Sequence, residues 1–134
     1  MITPSLKRLD IVIVDFGPLV KNSSKQCLVR PAVIMQLESM NKTSPTTIVC
    51  PLSSVKKKLY LPYQIELGRR FGLRKDSIVL LEQITVIDQS SIIKRIGHID
   101  DDSVAENINR GLIKTLGIHE SASSAPAPTQ GVGV

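Results

Sequence analysis

Short apolar segments rich in β-branched residues recur through the first two thirds of this 134-residue chain, separated by polar or proline-containing stretches. Each segment is too short for a buried helix, so the pattern predicts β-strands. The predicted strands cover residues 9–16, 29–36, 46–52 and 64–67, and a longer segment, 77–88, that bends into two strands around Glu82 and Gln83. Many short strands with one good helix predict a mainly β fold with α, built as a small curved sheet or barrel and not as βαβ units.

The one clear helical pattern lies near the C-terminus and has a four-residue period. Its predicted apolar face consists of Val104, Ile108, Leu112 and Leu116. Three aspartates at 100–102 precede it, where negative charge favours the helix dipole, and Gly117 has the position of a C-cap. Ser103 and Glu106 also have capping-box spacing, so two starts one turn apart fit the pattern. Residues 91–96 are expected to form one further helical turn.

Two features of the predicted strands concern their ends. Residues 21–28 are polar and rich in Lys, Asn and Ser, and they predict a loop before the second strand. Pro31 cannot donate a ladder hydrogen bond, so it is expected at a sheet edge or near the start of its strand.

Length and composition predict one domain over residues 1–118 and a disordered tail over 119–134. A chain of this length closes a single hydrophobic core. Residues 121–134 contain chiefly Ser, Ala, Pro and Gly and no charge, which is typical of disorder. No window approaches about 18 uninterrupted apolar residues, and the first eight residues lack the apolar run of a secretory signal. We therefore expect no membrane association and a cytoplasmic location.

The formal net charge of +5 is unevenly distributed. Residues 1–75 hold 13 Lys and Arg against 4 Asp and Glu, whereas residues 76–134 hold 4 against 8. A basic front suits contact with a polyanion, since phosphate contacts dominate nucleic-acid affinity. It also suits docking of an acidic protein partner, and an unevenly charged solvated surface is a third interpretation.

Composition also excludes several kinds of site. Aromatic residues make up 3% and Trp is absent, which argues against stacking bases on an aromatic platform. Cys27 and Cys50 lack CxxC spacing and neighbouring histidines, so neither a disulfide nor a zinc site is expected. No acidic or His-rich cluster has ligand spacing, and we expect no metal or other cofactor.

The residues that could carry chemistry are few. Arg30 stands at the mouth of a predicted strand, where a planar guanidinium suits a phosphate in transition, although pairing with a surface carboxylate is the simpler alternative. Ser53 follows the third predicted strand and by itself resembles a turn residue. Glu82 and Gln83 interrupt an apolar run, and they could read base edges or instead satisfy a bulge or a dimer contact.

Three motifs together carry a family resemblance. They are Val-Arg-Pro at 29–31, Ser-Pro-Thr-Thr-Ile-Val at 44–49 and Leu-Glu-Gln-Ile at 81–84. In this order and spacing, the chain over residues 6–118 resembles the MazF/PemK family of bacterial toxin endoribonucleases. The resemblance implies an SH3-like small barrel, formed by a curved antiparallel sheet with a C-terminal helix, and a homodimer.

The resemblance also implies roles for individual residues. Arg30 matches the catalytic Arg, and Ser53 stands where close relatives carry a catalytic Thr. RNA contacts are expected at Lys25, Lys57, Leu61, Glu82 and Gln83. Relatives have Gly where this chain has Leu9, and a Gly pair where it has Cys27 and Leu28.

The implied function is that of a type II toxin, an endoribonuclease that cuts single-stranded mRNA without metal and inhibits growth. Attack by the 2′-OH would leave a 2′,3′-cyclic phosphate and a 5′-OH end. Its implied partners are single-stranded RNA and a cognate antitoxin with an acidic disordered tail. Two alternatives stay open: a non-enzymatic toxin that binds gyrase as CcdB does, and a degenerate family member that binds RNA or antitoxin without cutting.

Overall fold

A computed structural model describes residues 5–18, 27–54 and 63–119, which form a seven-stranded antiparallel sheet and two α-helices. The strands are β1 (Asp10–Pro18), β2 (Cys27–Ile34), β3 (Thr46–Ser53), β4 (Gln64–Gly68), β5 (Ser77–Leu80), β6 (Thr85–Asp88) and β7 (Ile92–His98). The helices are α1 (Glu38–Asn41) and α2 (Asp102–Leu116), and 3₁₀ turns occupy Leu81–Gln83 and Gln89–Ser91. The sheet order is β4-β5-β3-β2-β1-β7, and β6 pairs with the first half of β3.

The sheet is buried on both faces at its centre. In β1, Ile11 points into a cluster that also contains Val104 and Ile108 of α2. Its neighbours Val12 and Val14 point into a second cluster on the opposite face. Alternate side chains of a strand face opposite sides, so a strand buried on both faces is apolar throughout. This arrangement explains the continuous apolar run of β1.

The mainly β fold with a curved antiparallel sheet and a C-terminal helix is confirmed. The predicted strands are present within a few residues of their expected bounds, and the bend at Glu82 and Gln83 is a 3₁₀ turn. β1 continues beyond the expected end through Pro18. The predicted loop at 21–28 ends in strand, since Cys27 and Leu28 begin β2. The remaining residues of that loop lie outside the described part of the chain.

The helical turn predicted at residues 91–96 is wrong. Residues Ile92–His98 form β7, which pairs with β1 through Ile13↔Lys94 and Asp10↔His98. β-branched isoleucines favour strands, and pairing with the buried β1 selects the extended conformation over a marginal single turn. The short helix α1 was not predicted.

The C-terminal helix α2 agrees with its sequence pattern except at its last apolar residue. Val104 and Ile108 are buried and Leu112 is half-buried, but Leu116 is 51% exposed. A four-residue spacing drifts by about 40° per step around a helix, so the fourth member leaves the buried face. Gly117 is the C-cap, with φ 69°, as predicted. No helix of the described residues is long and apolar enough to cross a membrane, and residues 120–134 of the predicted tail lie outside them.

Leu9 occupies a backbone conformation that favours glycine. Its φ is 77°, in the left-handed region that few side chains with a Cβ adopt. Two backbone hydrogen bonds hold it there: the Leu9 N–H donates to the Ile34 carbonyl (2.7 Å), and the Leu9 carbonyl accepts from the Ile99 N–H (2.9 Å). The buried Leu9 side chain offsets part of the strain by joining the core.

Asp101 joins the start of α2 to the loop before β5. Its side chain accepts from the N–H groups of Ser103 (2.9 Å) and Val104 (3.2 Å), which caps the helix. It also accepts from Arg70 Nη2 at 2.6 Å. The hydrogen bond from Arg70, followed by those at the helix start, lowers the pKa of the Asp101 carboxyl to about 2.

We expect Asp101→Ala to lower the melting temperature, because it removes the helix cap and the partner of Arg70 together. Asp101→Asn should lower it less, since an amide oxygen still caps the helix. Because the pKa of Asp101 is lowered in the folded protein, its carboxylate stabilises the fold fully at pH values above its ordinary pKa of 3.8. This stabilisation is lost as the pH falls toward 2. Thermal melts between pH 2 and 7, with Asp100→Ala as control, test this. An Asp101→Ala protein that melts at pH 7 like the control would contradict it.

Candidate active site

The hydrogen-bonded ladder between β2 and β3 ends at Pro31. The last pair toward this end is Ala32↔Pro51, and continuing the register would place Pro31 opposite Leu52. Proline has no N–H, so it cannot donate to the Leu52 carbonyl. The guanidinium of Arg30 does so instead, with Nε at 3.1 Å and Nη2 at 2.6 Å from Leu52 O. Pro31 therefore lies within an interior strand, at a point where β3 no longer requires its donor, and not at a sheet edge.

This contact brings Arg30 and Ser53 together. Ser53 is the last residue of β3, immediately after the carbonyl that Arg30 binds, and it pairs with Ile78 of β5. Both side chains are half-buried. The simpler alternative for Arg30, an ion pair with a surface carboxylate, is absent from the described residues. Two of its N–H donors are used on Leu52, and the guanidinium has others that can face a ligand.

Arg30 and Ser53 line a pocket of about 880 Å³ where β2 and β3 separate. The volume lies toward the upper end of the range for small-ligand sites. Within the described ranges its charged lining residues are all cationic: Arg30, Arg74, Lys75 and Lys94. Ile13 lies between two of the walls, since it pairs with Pro31 on one side and with Lys94 on the other. The pocket therefore suits an anion.

Arg74, Lys75 and Lys94 were not among the predicted site residues. Residues 68–75 are visibly basic in sequence, but no local pattern indicates that this turn lies beside Arg30. Lys94 falls in the segment that was predicted to be a helical turn. The β-branched isoleucines at 92, 93 and 96 are the signal that could have placed Lys94 in a strand.

Glu82 and Gln83 do not line this pocket. They are exposed on the 3₁₀ turn between β5 and β6. Glu82 acts electrostatically on Cys50, whose pKa is raised to about 12, chiefly by burial and further by this carboxylate. The other predicted RNA contacts, Lys25, Lys57 and Leu61, lie outside the described residues.

No group of three or more His, Cys, Asp and Glu side chains that could hold a metal ion occurs in the described part of the chain. Asp10 and His98 come together, with 2.8 Å between Oδ1 and Nδ1, and Arg95 Nε lies 3.2 Å from Asp10 Oδ2. These contacts join β1 to β7. They form a structural link and not a ligand set.

Comparisons with known proteins cover most of the described chain. Residues 7–116 match the family of PemK-like, MazF-like toxins of type II toxin–antitoxin systems. Endoribonuclease EndoA of Bacillus subtilis is 38% identical over 98 residues, which are 72% of this chain and 83% of that protein.

Two solved structures share the fold. A mycobacterial endoribonuclease in complex with its cognate antitoxin has a TM-score of 0.71 at 16% identity, covering 87% of this chain and 99% of that chain. MazF of Deinococcus radiodurans has a TM-score of 0.69 at 20% identity, covering 85% and 98%. At such low identities, these two likenesses concern the fold alone.

Proposed function

This chain belongs to the PemK-like, MazF-like toxins of type II toxin–antitoxin systems and is an endoribonuclease, and we propose that it cuts single-stranded mRNA without a metal ion. The observation that carries this proposal is the position of Arg30. Its guanidinium is held on the Leu52 carbonyl beside Ser53, in a pocket whose described charged side chains are all cationic. Cutting mRNA in this way inhibits growth.

RNA supplies its own nucleophile, so the site needs no activated serine. The 2′-OH attacks the adjacent phosphorus in line and gives its proton to water as the O2′–P bond forms. The P–O5′ bond breaks, and the departing 5′-oxygen takes up a proton from water. The products are a 2′,3′-cyclic phosphate and a 5′-OH end. Arg30 stabilises the negative charge that develops on the phosphorane and on the departing 5′-oxygen. Its donors are pre-oriented by the bonds to Leu52, which lowers the cost of ordering them around a phosphate.

Ser53 positions the scissile phosphate. Its hydroxyl donates to a non-bridging oxygen and keeps the phosphorus aligned with the attacking 2′-OH. Glu82 and Gln83 contact bases that extend beyond the pocket, and Lys25, Lys57 and Leu61 add further RNA contacts.

The other partners proposed are a cognate antitoxin and a second copy of this chain, in the cytoplasm. The antitoxin carries an acidic disordered tail, which the cationic pocket attracts. The described surface exposes more than half of several large apolar side chains: Val86, Ile93, Leu116 and Ile118. In a homodimer, part of this apolar surface is buried.

The purified protein is expected to cut a long RNA at defined sites in the presence of EDTA. The new 5′ ends should carry hydroxyls, because breaking the P–O5′ bond leaves the oxygen on the downstream fragment and the phosphate on the upstream one. Direct phosphorylation of the fragments by polynucleotide kinase, followed by end mapping, measures this. Intact RNA, or cutting only after metal is added, would contradict the proposed function.

Arg30 variants serve as controls in that experiment. Arg30→Ala should cut about 10²–10³-fold more slowly, the usual loss for one transition-state donor. Arg30→Lys should recover little, since a point charge does not reproduce the planar fork. Circular dichroism establishes that both variants are folded. Wild-type cutting by a folded Arg30→Ala protein would show that the catalytic assignment is wrong.

Ser53 variants separate a positioning role from a structural one. Ser53→Ala should slow cutting strongly with little change in RNA affinity, because the basic residues supply most of the ground-state binding. Ser53→Thr should retain activity, since it keeps the hydroxyl. Single-turnover rates and binding isotherms measure both. Equal rates for all three proteins would exclude the positioning role, and binding without cutting by all three would indicate a degenerate toxin.

We expect a homodimer in solution. Sedimentation at micromolar concentration should give about twice the chain mass of 14.7 kDa. A change of the exposed Val86 to Lys should weaken the dimer more than the same change at the exposed Thr85, because only the first removes apolar surface. A wild-type protein that sediments as a monomer would contradict the expectation.

A further inference from the structure

Residues 69–75 form a basic loop between β4 and β5 with four cationic side chains, two of which pair with carboxylates of the described residues. Arg69 lies 3.7 Å from Asp76, and Arg70 lies 2.6 Å from Asp101 at the start of α2. Arg74 and Lys75 make no ion pair with any carboxylate that the structure describes. The loop therefore has two paired cations and two exposed ones that no carboxylate in the described ranges neutralises.

The two unpaired cations lie on the wall of the active-site pocket. Arg74 and Lys75 line it together with Lys94 of β7, which is likewise exposed and without an ion pair in the described ranges. Arg30 and Ser53 contribute another part of the lining. One phosphate on Arg30 and Ser53 leaves these three cations unneutralised, in a pocket with room for more than one anionic group.

The basic loop is held rigidly against β7. A Cβ on Gly97 would overlap the Phe71 carbonyl, and one on Gly72 would overlap the Ile96 carbonyl, so the two backbones approach as only glycines permit. Leu73 is buried in the core. At the end of the loop, Ser77 Oγ donates to the Lys75 carbonyl at 2.8 Å. These contacts fix the backbone on both sides of Arg74.

We propose that Arg74, Lys75 and Lys94 form a second phosphate subsite, which binds the phosphodiester next to the scissile one, and that the Gly72–Gly97 contact positions it. The proposal rests on the function proposed above. Holding two successive phosphates fixes the path of the RNA strand through the pocket and adds affinity for the bound RNA. Arg74 and Lys75 are available to bind a phosphate because the nearby Asp76 and Asp101 pair with Arg69 and Arg70 instead.

The test measures binding separately from cutting. A short RNA is built around a cleavage site mapped for this protein, with a 2′-deoxy nucleotide that removes the nucleophile. Neutral methylphosphonate linkages then replace, one at a time, the phosphates on either side of the scissile one. For the wild-type protein, one of these replacements should weaken binding about tenfold, the order expected for a lost hydrogen bond to a charged group.

The variant Arg74→Gln/Lys75→Gln/Lys94→Gln should bind the unmodified RNA about tenfold more weakly, and the same methylphosphonate should then cost nothing further. The matched control is Lys42→Gln/Arg110→Gln/Lys114→Gln, which removes the same charge from exposed positions outside this pocket. In this control, the methylphosphonate should weaken RNA binding as much as it does in the wild-type protein. Equal RNA affinity of the wild-type and pocket variants, or an undiminished methylphosphonate effect in the pocket variant, would overturn the subsite.

Gly97→Ala tests the positioning of the basic loop. Its backbone does not need glycine, so the added Cβ acts through its overlap with Phe71. We expect KM for cleavable RNA to rise about tenfold with kcat nearly unchanged. A folded Gly97→Ala protein with wild-type KM would overturn the positioning role, and if it does not fold, the pocket variant still decides the subsite. Failure of the wild-type protein to cut would count against the proposed function, whereas wild-type cutting with equal binding by the pocket variant would count only against the subsite.

Discussion

The bond from Arg30 to the Leu52 carbonyl organises the whole candidate active site. It forms because Pro31 has no N–H where the β2–β3 ladder would otherwise continue. The carbonyl is satisfied by a side chain instead of a strand, so the two strands separate and a pocket opens between them. A single backbone constraint thereby orients the guanidinium, places it beside Ser53 and creates the space for a phosphate.

The surrounding charges divide into two groups with different uses. Arg70 joins a loop to the N-terminus of α2 through Asp101, and Arg95 contacts Asp10 between β7 and β1. Arg74, Lys75 and Lys94 have no carboxylate partner among the residues that the structure describes, and they face the pocket. The pocket is therefore cationic because neighbouring aspartates pair with Arg70 and Arg95, while Arg74, Lys75 and Lys94 keep their charge facing it.

Sequence patterns predicted the structure best where the residues within one helix or strand determine its conformation. The helix α2 follows from its apolar period, its acidic start and Gly117, since all of these act within a few residues. The pattern failed at Leu116, where the period drifts off the buried face, and at residues 91–96, where pairing with β1 selected a strand. The bend at Glu82 and Gln83 was predicted, but its separation from the Arg30 pocket was not.

The sequence by itself determined the fold class and the C-terminal helix, because local apolar periods specify both. The family resemblance singled out Arg30 and Ser53, which line one pocket. Tertiary structure alone decided which cations join that pair. Arg74 and Lys94 are distant in sequence from Arg30. Lys94 reaches the pocket because β2 and β7 both pair with β1, and Arg74 reaches it because Gly72 and Gly97 let the basic loop approach β7 so closely. A backbone contact of this kind leaves no periodic signal in the sequence, since it depends on the absence of two side chains and not on a repeated pattern.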